Sequence, residues 1–179
     1  QLGLTALYSQ FSRALCPNTE QNYRTDYPQG YNFWNIGANY GYINSRWNVN
    51  GESAMSGNGA FATLNSASFQ ASKQVAITAI QRYYSAKYWA LNGNAFSEGG
   101  QTRNEMGLLL GLAWTINRFL TANIYSDYAY FAKPRYLASV ASCAWDNLFS
   151  TVYTRNNFSF LVRYRFKIRQ KDNANSTRL

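Results

Sequence analysis

Apolar and polar side chains alternate with a period of two along most of this chain. The clearest case is NFSFLVRYRFKIRQ, residues 157–170. Phe158, Phe160, Val162, Tyr164, Phe166 and Ile168 share one face of an extended strand, while Ser159, Arg163, Arg165, Lys167 and Arg169 share the other. Only Leu161 breaks the order. A helix would scatter phenylalanines and arginines around its whole circumference, so the pattern predicts a strand with one apolar face. Residues 105–116 repeat it: Met106, Leu108, Leu110, Leu112, Trp114 and Ile116 oppose Glu105, Gly107, Gly111, Ala113 and Thr115.

Read this way, the chain yields about nine strands. The first lies near 2–14, with Leu2, Leu4, Ala6 and Tyr8 on one face; the second, near 31–43, sets Trp34, Ile36, Ala38, Tyr40 and Tyr42 against Asn35, Gly37, Asn39 and Gly41. A third is predicted near 46–56 and a weak, small and polar fourth near 60–70. The fifth runs from about Lys73 into AIQRYYSAKYW, and the seventh covers 118–131. Between 144 and 155 the order is mixed, Trp145, Phe149 and Tyr153 against Leu148 and Val152, and the faces stay unassigned. Long polar connections near 16–30, 91–103 and 132–142 take turns with short ones such as INSR, INR and RNN.

Composition changes what the apolar face means. Aromatic residues make up 17% of the chain and charged residues 14%, with mean hydropathy -0.39. A water-soluble core draws more on Leu, Ile and Val. No apolar run approaches the roughly 18 residues of a membrane helix. Strands of about ten residues that alternate, separated by alternately short and long connections, match an antiparallel up-and-down transmembrane β-barrel, whose tyrosines and tryptophans gather at the interfaces. A soluble sandwich or lipocalin-like barrel alternates too, but its apolar face points inward, where room for so many rings is limited. Strand length and loop rhythm favour the membrane barrel. The expectation is a single transmembrane β-barrel segment over 1–179, located in a cell outer membrane and in contact with the lipid bilayer. An odd strand count, and Gln1 leading directly into a strand without a leader, predict that further polypeptide or other outer-membrane subunits complete the barrel.

The net charge of +9 contains no dense basic block and reads as cations in loops and a wet interior. An arginine facing lipid near the midplane costs roughly 2–4 kcal/mol, so the charged faces are expected to point inward. The candidate lumen-facing charges are Arg46, Glu52, Arg82, Glu105, Asp127, Arg163, Arg165, Lys167 and Arg169. Leu108, Leu110, Leu112, Phe158, Phe160 and Phe166 are expected to face lipid. The absence of histidine removes Ser-His-Asp, Cys-His and most zinc and haem chemistry, so no enzyme, metal or cofactor is expected. Cys16 and Cys143 match no zinc spacing, and their strands lie far apart in the order, so free thiols are expected. SEGG, residues 97–100, lacks the strand-to-helix context of a phosphate loop and reads as a turn in a long connection.

The stretches NAFSEGGQTRNEMGLLLGLAW, YSDYAYFAKPRY and CAWDNLFSTVYTRNNFSFLVRYRFKIR resemble the barrel region of large outer-membrane proteins of the Bacteroidota that are often described as containing a helix-hairpin-helix domain, over roughly the second half of the chain, Phe96 to Arg169. No helix-hairpin-helix sequence occurs in this chain. The resemblance implies location and fold. The function expected is a channel, a scaffold or a component of an outer-membrane assembly. The alternative, DNA or polyanion uptake or docking, is suggested by the family's label and would draw on the inward cations and the aromatic loops.

Overall fold

The computed structural model describes residues 1–91 and 93–172. It is all-β. Nine strands run in order: β1 (Leu2–Leu15), β2 (Gly30–Ile43), β3 (Trp47–Ser56), β4 (Phe61–Gln70), β5 (Val75–Tyr84), β6 (Glu105–Asn117), β7 (Leu120–Phe131), β8 (Ser142–Arg155) and β9 (Phe158–Arg169). Each pairs antiparallel with the next in a single up-and-down sheet. The sheet is open: among the described residues β1 and β9 pair with no further strand.

Register keeps the two faces separate from strand to strand, because pairing at period two places apolar residues beside apolar residues. One transverse row, Trp47–Phe69–Ile77–Leu112–Ile124–Phe149–Tyr164, is apolar or aromatic at every step from β3 to β9. This face is bare. Leu110 is 53% exposed, Phe160 67% and Phe158 80%. The pairing also resolves β8: Trp145, Phe149 and Tyr153 join the bare face, and Asp146, Leu148 and Val152 the opposite one.

The opposite face is covered by the connection between β5 and β6, residues 85–104, which is longer than the 91–103 expected because β5 ends at Tyr84. At one end of this connection Asn35 Nδ2 of β2 donates to the Trp89 carbonyl at 2.7 Å; at the other, Lys167 of β9 donates to Glu98 at 2.8 Å. The connections at the same end also meet: Tyr23, between β1 and β2, packs edge-on against Tyr136, between β7 and β8, with ring centroids 6.0 Å apart. In a flat sheet β2 and β7 would lie about 24 Å apart at about 4.8 Å per strand. The sheet therefore curls, with the covered face concave and the bare face convex.

The buried apolar core is small and sits between the sheet and this connection. Ala60, Ala62, Tyr84 and Tyr88 pack together with Leu64 and Ala95 around them, and Ala129, Phe131 and Ala144 form a second cluster. Most of the rings that make the composition unusual lie elsewhere, on the convex face.

Candidate functional site

The concave face of β5 to β9 carries a network of two ion-pair clusters, Arg82 with Glu105 and Asp127, and Asp146 and Glu98 with Arg165, Lys167 and Arg169, linked where the Glu98 backbone N–H donates to Glu105. The row Arg82–Gly107–Ala129–Ala144–Arg169 crosses it, two arginines with three small residues between them. The small residues leave room for guanidinium. A Cβ on Gly107 would collide with the Arg82 guanidinium, so a residue without a side chain is needed there. Phe96 covers the same guanidinium from the loop side, 5.0 Å from its ring centroid.

Arg82 is fully buried and forks onto two acids. Its Nε donates to Glu105 Oε1 at 2.5 Å, and its Nη1 and Nη2 donate to Asp127 at 2.8 and 3.1 Å. A buried guanidinium is tolerated when its donors are matched in this bidentate way. Glu105 in turn accepts the Glu98 and Gly99 backbone N–H groups at 2.8 and 2.7 Å, which ties the covering loop to β6.

Asp127 lies directly opposite Asp146 in the β7–β8 register. Like charges in that position repel. Cations on both sides compensate: Arg82 holds Asp127, while Asp146 accepts from Arg165 and, at 3.3 Å, from Lys167. Lys167 then bridges to Glu98, which also accepts from Arg169 Nε at 2.7 Å. Three acids of the sheet, Glu105, Asp127 and Asp146, and one of the loop, Glu98, thus hold three cations of β9 and one of β5.

Of the charges expected to point inward, the structure brings together Arg82, Glu105, Asp127, Arg165, Lys167 and Arg169. Glu52 lies on the same face, exposed, beside a cavity of about 380 Å³ lined also by Tyr84, Tyr88 and Phe96. Arg163 is on this face, exposed and without an ion pair among the described residues. Arg46 is on neither face. Asn44 Oδ1 accepts the Arg46 and Trp47 backbone N–H groups at 2.8 and 2.7 Å, so the turn extends through Arg46 and β3 starts one residue later than expected. Leu108, Leu110, Leu112, Phe158, Phe160 and Phe166 all lie on the convex face.

Two acids of the network escaped the sequence. Asp146 was hidden by the mixed order of its strand; taking Trp145 and Phe149 as one face would have placed it on the other. Glu98 belongs to a loop, where no periodicity exists to read.

At the loop end, residues 16–29 and 85–104 interlock. Trp89 Nε1 donates to the Asp26 carbonyl at 2.8 Å, and Arg103 lies over the rings of Tyr27 and Trp89 at 4.7 and 4.8 Å. Burial lowers the Arg103 pKa and raises that of the Tyr88 phenol. Both cysteines are free thiols.

Apart from Glu52, every carboxylate on this face of the sheet is engaged with a cation, so the network is suited to holding strands and loop together. No family model, curated protein or solved structure matches the chain.

Proposed function

We propose that this chain is a membrane-embedded β-barrel segment of a cell outer membrane, serving as scaffold or channel wall within a larger assembly. One observation carries the reading: the convex face carries an apolar or aromatic row from β3 to β9 and is bare, whereas the opposite face holds the paired charges. In water such a face is a large exposed patch; against lipid it is the favourable surface.

Among the described residues the edges of β1 and β9 present unpaired backbone groups, which hydrocarbon does not tolerate. Further strands, from more polypeptide or from other outer-membrane subunits, complete the barrel. The loop over the concave face and the paired charges beneath it favour an occluded wall over an open pore. Nucleic-acid or polyanion docking is a second reading, favoured by the unpaired, exposed Arg163 beside Arg165 on β9; salt-dependent binding of a labelled oligonucleotide tests it.

Membrane fractionation of cells expressing the full chain tests the main reading. Recovery in the outer-membrane fraction, resistant to alkaline carbonate, is expected; a chain that stays in the aqueous fraction and is monodisperse there overturns it.

A further inference from the structure

Two adjoining cavities lie at the loop end, beside the ion-pair network. The first, about 430 Å³, has walls of Tyr27, Phe33, Trp34 and Trp89, with Asp26 and Gln29 among its polar lining. The second, about 550 Å³, is lined by Arg103, Arg135 and Arg169 together with Tyr23 and Tyr136. Both volumes lie in the range of small-ligand sites. Tyr27 belongs to both walls, and Arg103 rests on Tyr27 and Trp89, so a cation stands where the two meet.

The charge of the second cavity is unbalanced. Three arginines line it against one carboxylate, Glu98, which Arg169 and Lys167 already share. Arg103 and Arg135 have no carboxylate within ion-pair distance among the described residues; Arg135 Nε donates to Ser142 Oγ instead. Arg103 Nη1 is buried without a hydrogen-bond partner. A buried donor left unpaired is costly, and natural structures usually explain one by a bound group. Burial lowers the Arg103 pKa, and burial together with the nearby Arg169 lowers that of Arg135, so a negative group beside them would be favoured. The first cavity offers the complementary chemistry. Flat aromatic faces suit the C–H face of a sugar ring, and a side-chain amide and a carboxylate suit its hydroxyls.

We propose that the joined cavities bind an acidic saccharide, with its ring against Tyr27 and Trp89 and its carboxylate against Arg103 and Arg135.

Calorimetric titration of the full chain in detergent micelles tests this, with trigalacturonate as probe, cellotriose as its neutral counterpart and a short oligothymidylate as a non-saccharide anion. Trigalacturonate should bind at least about tenfold more tightly than either comparison ligand. Arg103→Gln and Arg135→Gln should each weaken it by about tenfold, the loss of one charge-assisted contact. Arg118→Gln, at the opposite end of the sheet, should leave it unchanged. If Arg103→Gln does not fold, Arg135→Gln carries the same expectation. Absence of trigalacturonate binding, equal binding of cellotriose, equal or tighter binding of oligothymidylate, or full affinity in the folded variants overturns the proposal.

Discussion

Arg82 and Gly107 show how one residue's shape sets another's chemistry. The guanidinium occupies the space that a side chain at Gly107 would need, and there it meets Glu105 and Asp127 together. Arg82→Met leaves two buried acids without their cation and should destabilise the protein by about 3–5 kcal/mol, read from denaturant midpoints in detergent. Arg163→Met, at an exposed position, should stay within about 1 kcal/mol. A midpoint for Arg82→Met equal to that of Arg163→Met would remove the network from the account. Gly107→Ala should cost about 1–3 kcal/mol by overpacking, and clearly less in the Arg82→Met background, where the clash is gone. Additive losses in that double-mutant cycle would mean that the two residues do not meet. Six of the nine inward charges of the sequence belong to this network because strand alternation alone places them. Arg46 does not, since the Asn44 side chain draws it into the turn, a local hydrogen-bonding choice that alternation cannot register.

The connection 85–104 behaves as part of the sheet's interior. Its grip on β9 is Glu98, whose partners Lys167 and Arg169 are partly exposed, so Glu98→Gln should change global stability by only about 1 kcal/mol or less. The same variant should make residues 91–100 cleave faster under limited proteolysis; an unchanged cleavage rate would show that the loop is held by other contacts. The loop end itself is testable in cells. In a Cys143→Ser background, a membrane-impermeant maleimide should label Cys16 in intact cells and spare an Arg46→Cys, Cys16→Ser variant at the other end; equal labelling would contradict a sheet that crosses the membrane. Strands were legible in proportion to the contrast between their faces. β6 and β9 alternate almost without exception, whereas β4 is small and polar on both faces, with Ser53–Thr63 and Asn65–Gln81 hydrogen bonds in place of apolar contrast. The path of 85–104 was illegible because its anchors are single side chains, Asn35, Glu105 and Lys167, brought near only by the curl of the sheet.

Across the whole molecule, the accessible surface is 12443 Å², against roughly 8,800 Å² expected for a compact monomer of this mass. The bare apolar side chains of the convex face contribute to this excess. With nine strands in up-and-down order, β1 and β9 run in the same direction, so they could close the sheet only as a parallel pair, unlike every other pair in it. Contact of the convex face with lipid, as proposed, can be measured with spin labels placed one at a time at residues 158–169 of the chain in liposomes, from their collisions with oxygen and with a water-soluble nickel chelate. Collisions are expected to alternate with period two along β9, oxygen highest at Phe158, Phe160, Val162, Tyr164, Phe166 and Ile168 and nickel highest at the positions between them. A profile without alternation, or one in the opposite phase, would show that this face does not meet lipid.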